Sequence, residues 1–233
     1  MGQVLLTLRG LTKGFDSGNE RIPVLADLAL TLGRGQSLAL MGRSGSGKST
    51  LLNLLCGLEQ PDAGVIDIAG ERFDADQGGN RGDRGNGAET ARRWADLRRQ
   101  RIGVVFQDAN LMPALSLVDN VRLRARLAGQ DDGQCQPWLD RLGIGALANR
   151  YPDQISGGQR QRAALAMVFA MKPALILADE PTGSLDRHTA DEVADELFAL
   201  QADQGCALIL ATHDPELAAR CGHRRDLAHA AAS

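Results

Sequence analysis

The sequence predicts an α/β fold with a mostly parallel sheet, and three observations carry that prediction. Short apolar runs of strand length alternate with longer segments of helical period, the rhythm of βαβ units. Two of the runs, Ala174-Leu175-Ile176-Leu177-Ala178 and Cys206-Ala207-Leu208-Ile209-Leu210-Ala211, are apolar throughout, as strands buried on both faces are. Third, Gly42-Arg43-Ser44-Gly45-Ser46-Gly47-Lys48-Ser49-Thr50 lies between the apolar runs Ser37–Met41 and Leu51–Leu55, so strand, glycine-rich turn and helix follow in order.

With 233 residues and 43% hydrophobic content, the chain suits one α/β domain with room for a small inserted subdomain. Aromatic residues are only 3%, so the core must be built from Leu, Ala, Ile and Val. A net charge of −3 offers no general attraction to nucleic acid or anionic lipid, and no nucleic-acid partner is expected. Cys56, Cys135, Cys206 and Cys221 have neither CxxC nor metal-ligand spacing and read as reduced cytosolic thiols. Met1 to Leu6 lacks the basic lead and long apolar core of a signal peptide, and Leu6 stands where a myristoylation motif wants Ser or Thr. No run of about 18 apolar residues occurs. A soluble, cytosolic protein is expected.

In chain order, residues 3–9 and 24–32 read as strands, separated by a turn-rich segment from Lys13 to Pro23 in which Phe15 stands out. The helix after the glycine-rich turn ends near Gly57, and Val65–Ile68 is a short strand. Residues 74–90 are rich in Gly, Asp, Asn and Arg, bury almost nothing, and read as a flexible surface loop. Thr90–Arg101 reads as a helix carrying Arg92, Arg93, Arg98, Arg99 and Arg101. No aromatic platform repeats along it, so the arginines read as a solvated face. Ile102–Phe106 is a buried strand ending at Gln107, and 116–128 and 135–142 are helices that interrupt the βα rhythm as an inserted subdomain. Ser156 precedes a helix running to Met171, Ala174–Ala178 is a strand, and helix 188–203 places Val193, Leu197 and Leu200 on one stripe. The strand 206–211 and a short helix 214–221 follow.

The chemistry centres on the glycine-rich turn. G-x-x-x-x-G-K-[ST] arises by chance in roughly one chain in a hundred of this length, and here it has the strand and helix a P-loop requires. Glycines let backbone N–H groups curl around phosphate oxygens, Lys48 reaches the β and γ phosphates, and Ser49 is placed to ligate Mg²⁺. Asp179 and Glu180 end an apolar strand, where a P-loop protein holds its metal (Asp179) and where a carboxylate can orient and deprotonate water (Glu180). Ile155-Ser156-Gly157-Gly158-Gln159 has the shape of a helix N-terminus and offers a second anion site. Two phosphate cradles on separate elements make sense if the second serves another copy of the chain.

Taken together, Gly42–Thr50, Gln107, Ile155–Gln159, Leu175–Glu180, Ser184-Leu185-Asp186 and His213 resemble, in order and spacing, the nucleotide-binding domain of an ABC transporter. The similarity runs from Leu8 to Arg220. It implies a P-loop ATPase with a mostly parallel sheet, an antiparallel β subdomain near the N-terminus and an inserted α-helical subdomain. The core would span about 1–107 and 157–221, and the helical subdomain about 108–156. The resemblance implies ATP and Mg²⁺ as ligands, with Gly42, Arg43, Ser44, Gly45, Ser46, Gly47, Lys48, Ser49 and Thr50 around the phosphates. Ser49, Gln107 and Asp179 would serve the metal. Phe15 matches the aromatic that stacks on adenine, with a loop-anchoring core aromatic as the alternative. Ser156, Gly157, Gly158 and Gln159 match the signature motif that closes over ATP held by the opposite subunit. Asp186 belongs to the D-loop at the dimer interface. Glu180 matches the catalytic glutamate, His213 the switch histidine, and Gln107 the glutamine that joins the core to the helical subdomain.

Ile22–Leu25, Leu51–Leu58 and Asp179–Asp186 resemble more narrowly the lipoprotein-releasing and macrolide-exporter ATPases. That implies a head-to-tail homodimer, peripheral on the cytoplasmic face of the inner membrane, that powers a separate permease in export or extraction of lipoprotein, peptide or drug-like substrates. A non-transporting regulator of a cell-envelope partner is the alternative. Three features depart from the family. The Gly/Asp/Arg loop is long, Ala166-Met167-Val168-Phe169 stands where Ala-Arg-Ala-Leu is commoner, and Cys221–Ser233 is expected to lack the family's final strand.

Overall fold

The computed structural model describes residues 3–18, 20–75 and 84–227. In chain order the elements are β1 (Val4–Ser17), β2 (Glu20–Gly33), β3 (Ser37–Met41), α1 (Lys48–Leu55), β4 (Ala63–Ile68), β5 (Glu71–Asp74), α2 (Arg84–Gln100) and β6 (Ile102–Val105). There follow α3 (Leu117–Leu127), α4 (Cys135–Arg141), α5 (Gly157–Ala170), β7 (Leu175–Asp179), α6 (Arg187–Gln204), β8 (Ala207–Ala211), α7 (Pro215–Ala219) and β9 (His223–Asp226). The chain forms two compact units, Met1–Arg98 with Ile209–Ser233, and Arg99–Leu208.

In the first unit an antiparallel sheet runs in the order β2-β1-β4-β5. Leu6, Leu8 and Leu11 of β1, Leu25, Leu28 and Leu32 of β2, and Ile66 and Ile68 of β4 are among its buried apolar residues. The turn predicted over Lys13–Pro23 is instead the far end of a long hairpin, with Lys13 opposite Leu25, Phe15 opposite Ile22 and Ser17 opposite Glu20. Most side chains there are partly or wholly exposed, so no alternating pattern marks the strands. Pro23 is tolerated because β2 is an edge strand.

Asp62 anchors this end. Its carboxylate accepts from the Gly14 N–H at 2.6 Å and lies 2.6 Å from Arg21. Burial pushes the Asp62 carboxyl up, but the hydrogen bonds from Arg21 and Gly14 outweigh it and hold the group below its usual range. Lys13 adds a bond from Nζ to Gln60 O at 2.8 Å.

β5, too short to announce itself, buries only Phe73. α2 begins at Arg84 rather than Thr90, and the rest of the segment expected to be a flexible loop, 76–83, lies outside the described residues. Trp94 of α2 stacks on Phe73 with ring centroids 3.9 Å apart. Arg93 pairs with Glu71 at 2.6 Å, and Arg98 donates to Cys56 O at 2.7 Å. The second bond places a cation at the C-terminal end of α1, where the helix dipole favours it.

A terminal strand does exist. β9 pairs in parallel with β3, Leu38 opposite His223 through Met41 opposite Asp226. All four residues of β9 are exposed. Its pairing is carried by backbone, which a charged His-Arg-Arg-Asp run conceals from any hydrophobic pattern.

In the second unit β6 and β7 pair in parallel, Ile102 opposite Leu175. α3, α4 and α6 pack on α5, so the helices within 108–156 share a core with it. The unusual residues of α5 fill that core. Val168 sits against Gly103, where an added Cβ would lie 2.5 Å from Cγ1. Phe169 is fully buried and meets Trp138 with ring centroids 6.0 Å apart. The four cysteines are free, and burial pushes the Cys56 thiol up to about 12 and that of Cys206 to about 11.

Candidate nucleotide-binding site

β3 delivers a buried Met41 to a loop that only glycine can build. Gly42, Gly45 and Gly47 have φ of 149°, 79° and 94°. A Cβ on Gly42 would lie 2.4 Å from Ser46 Oγ, and one on Gly47 would lie 2.9 Å from Val24 Cγ1. Lys48 folds back over this loop, with Nζ donating to Gly42 O at 2.8 Å and to Arg43 O at 3.3 Å. Gly47 caps α1 without any side-chain hydrogen bond, and no acidic residue stands in the first turn. Ser46 Oγ is buried and has no hydrogen-bond partner, an arrangement that costs about 1–3 kcal/mol if nothing fills it. Uncapped N–H donors, a nearly buried ammonium and an orphaned hydroxyl together form a cradle for an anion. Ser49 is exposed on the first turn, and Thr50 is half-buried. Arg43, Ser44 and Gly45 are exposed along the loop.

The end of β3 is pinned by neighbours in its own unit. Thr212 N donates to Leu40 O at 3.1 Å, and Leu227 N to Met41 O at 2.8 Å. His213 follows Thr212 and is exposed. Its flanks are fixed, because Asp214 N donates to Thr212 Oγ1 at 3.1 Å and the Asp214 carboxylate caps α7. Phe15 is 40% exposed on the hairpin, with Lys13 Nζ 5.0 Å from its ring centroid. It is therefore not a core aromatic, and its exposed ring remains able to stack on a base.

In the second unit β7 ends at Asp179, which is half-buried, and Glu180 follows with φ +45°. A non-glycine residue in the left-handed region is strained, and such strain collects at functional positions. The next turn closes with Gly183 N donating to Glu180 O at 3.0 Å. It also reaches Gln107: Ser184 Oγ donates to Gln107 O at 3.3 Å, and a Cβ on Gly183 would lie 3.3 Å from Gln107 Nε2. Asp186 then caps α6, accepting from Thr189 N at 3.1 Å and Thr189 Oγ1 at 2.7 Å. Those hydrogen bonds hold its carboxyl below the usual carboxylate range.

The helix start at Ser156 is a capping box. Ser156 Oγ accepts from Gln159 N at 3.2 Å, and Gln159 Oε1 accepts from Ser156 N at 2.9 Å. Both side chains serve the cap as acceptors, and the Gly157 and Gly158 N–H groups are the first-turn backbone donors that the cap does not use. Gly158 is held against Thr189, where a Cβ would lie 2.3 Å from Cγ2, while Gly157 has ordinary room, at 3.4 Å from Leu185 Cδ2.

These arrangements were compared with known proteins. The model of the family described as "ABC transporter" matches residues 25–183. The chain belongs to the ABC transporter family. An uncharacterized ABC transporter ATP-binding protein, YbbA of Escherichia coli strain K12, is 39% identical over 221 residues, covering 93% of this chain and 91% of that protein. The lipoprotein-releasing system ATP-binding protein LolD of Bordetella pertussis is 40% identical over 214 residues, covering 90% and 87%. Among solved structures, the ATP-binding cassette MJ0796, in a dimeric post-hydrolysis state bound to ADP and Pi, aligns with a TM-score of 0.80 at 31% identity. That alignment covers 96% of this chain and 94% of MJ0796.

As an ABC ATPase, the chain distributes its expected site residues over both units. Phe15, Gly42–Thr50 and His213 belong to the first, and Gln107, Ser156–Gln159, Asp179, Glu180 and Asp186 to the second. Within the second, the turn after Glu180 meets Gln107 through the Ser184 Oγ bond, with Gly183 beside the Gln107 side chain. Sequence reasoning missed Gln161, which is 2% exposed and donates from Nε2 to Phe106 O at 2.9 Å. The signal was available: a glutamine sits four residues before Leu165 on the apolar stripe of α5. It missed also the pairing of Arg162 with Glu192 at 2.7 Å and Glu196 at 3.2 Å, which joins α5 to α6. No helix among the described residues is long and apolar enough to cross a membrane.

Proposed function

We propose that this ABC ATPase binds and hydrolyses ATP as a head-to-tail homodimer on the cytoplasmic face of a membrane, and that it powers a separate permease. The observation that carries the ATP reading is the buried, partnerless Ser46 Oγ in a glycine loop that opens an uncapped helix. A phosphate would satisfy that hydroxyl and the loop N–H groups together.

Lys48 and the Gly42–Thr50 backbone hold the phosphates, Phe15 stacks on the base, and His213 donates to the terminal phosphate. Ser49, Gln107 and Asp179 suit Mg²⁺, since each offers a hard oxygen. The ion would offset phosphate charge. Glu180 orients and deprotonates the attacking water. Gly157 and Gly158 of a second copy, set by the Ser156–Gln159 cap and by α6, which Asp186 caps and whose Thr189 lies against Gly158, turn toward the phosphate from the other side. The dimeric MJ0796 cassette supports self-association. The 40% identity to LolD supports export or extraction, with lipoproteins the first substrate class to try.

Glu180→Gln should lower turnover about a hundredfold or more while ATP still binds and traps a dimer, read by phosphate release and size-exclusion chromatography. Normal turnover in that variant would refute the assignment of the base. Affinity purification from detergent-solubilised membranes should recover an integral membrane permease, and recovery of soluble partners alone would overturn the transporter role.

A further inference from the structure

Gln107 follows β6 where two segments of the second unit, α5 and the turn after β7, converge on two consecutive peptides. Gln161 of α5 donates to Phe106 O at 2.9 Å, Ser184 Oγ donates to Gln107 O at 3.3 Å, and Gly183 leaves room for the Gln107 side chain. The acceptor at Phe106 is a carbonyl, so the Gln161 amide must present its nitrogen there. Ala163, Ala164 and Leu165 beside it on α5 are buried and apolar. An amide at that depth is worse than a leucine unless its hydrogen bond is used. Gln161 also lies two residues beyond Gln159 on the helix that Ser156 caps, so helix start and Phe106 peptide are joined through one rigid element.

We propose that Gln161 is a positioning residue for Gln107, tying the signature helix to the peptide that aims this glutamine. The inference rests on the ATPase reading above. A displacement of α5 when its N-terminus engages nucleotide is passed through the Gln161–Phe106 bond to Gln107. Loss of the bond leaves nucleotide binding intact and lets the 106–107 peptides drift from their catalytic orientation. The defect therefore falls on turnover, not on affinity.

The test uses the full-length protein with ATP and Mg²⁺. Gln161→Leu keeps the volume and removes the donor. The expected result is a kcat about tenfold lower, with KM for ATP within about twofold and a nucleotide-free melting temperature within a few degrees of wild type. Gln161→Glu supplies a second reading, which also decides the matter if the leucine variant fails to fold. Its carboxyl can donate to Phe106 O only when protonated, and burial beside a carbonyl raises its pKa. Its activity relative to wild type should rise as pH falls from about 8.5 to about 6. A wild-type kcat in Gln161→Leu, a matched rise in KM and fall in melting temperature, or a pH-independent Gln161→Glu ratio would each overturn the proposal. A wild type without ATPase activity, or a Glu180→Gln variant as active as wild type, overturns the parent reading and this inference together. An active wild type and a dead Glu180→Gln beside a normal Gln161→Leu overturn this inference alone.

Discussion

α1 and α5 both begin beside glycines, and they begin in opposite ways. α1 starts from Gly47 in the left-handed region, with no capping side chain and an orphaned Ser46 hydroxyl beside it. α5 starts from Ser156 in extended conformation, with a reciprocal capping box made by its own Ser156 and Gln159. The glycines differ to match. Those of the first loop have positive φ and could not carry a Cβ at Gly42 or Gly47, whereas Gly157 and Gly158 have no positive φ. The first start is left unfinished by the protein and needs a ligand. The second is finished without one and has donors to spare. Stability at α1 should therefore depend on nucleotide, and stability at α5 should not.

The sharpest way to break that contrast is Lys48→Ala. Wild type should gain about 2.7 kcal/mol when ATP stands at 100 times its dissociation constant. Removing the ammonium deletes charge-assisted hydrogen bonds to phosphate and should weaken ATP binding about a hundredfold. Calorimetric titration reads the affinity, and thermal shift reads the lost stabilisation. An undiminished ATP-dependent shift in Lys48→Ala would mean that the loop is not the nucleotide cradle.

At α5 the two glycines should separate from each other. Gly158→Ala puts a methyl group 2.3 Å from Thr189 Cγ2, and the Thr189 side chain cannot swing aside without giving up its Oγ1 bond to Asp186. Overpacking of this kind costs about 1–3 kcal/mol, readable by urea denaturation without nucleotide. Gly157→Ala meets only ordinary contact, at 3.4 Å from Leu185 Cδ2, and should be near neutral. Equal destabilisation by both would show that the α5–α6 contact is looser than these distances require.

The same contrast governs what could be read from sequence. The P-loop was legible because its glycines, lysine and flanking apolar runs all serve one local geometry. β7 and α6 were legible because each buries an apolar run or stripe. β9 was not, because its four residues are exposed and its partnership with β3 is backbone alone. The hairpin end around Phe15 was hidden for a like reason, held by Asp62 and the Gln60 carbonyl in a turn far along the chain. Among the candidate site residues, Glu180 and Asp179 stand out as carboxylates ending an apolar strand, whereas Gln107 and His213 have no local signature and are proposed through family resemblance alone. Gln161 is the instructive omission. A polar residue on a buried helical stripe is a question that periodicity poses and cannot answer, since its partner, the Phe106 carbonyl, is 55 residues away.

The smallest expected effect is the one that separates a cap from a ligand site, and Gln159→Glu supplies it. Gln159 now works through Oε1, which accepts from Ser156 N at 2.9 Å. A glutamate offers the same oxygen at the same reach and completes the Ser-x-x-Glu form of the box. Its charge also sits within the first turn of a 14-residue helix, where the macrodipole favours an anion by about 0.3–1 kcal/mol. If α5 begins there only to be capped, the variant should equal or exceed wild type in every assay. If Gly157 and Gly158 face the phosphate of a second copy, the added carboxylate meets like charge. The nucleotide-free chain is then slightly more stable, while ATP-induced dimerisation, read in the Glu180→Gln background, weakens and recovers as salt is raised. Denaturation and dimerisation would move in opposite directions from one substitution, which no purely structural role for the Ser156–Gln159 turn produces.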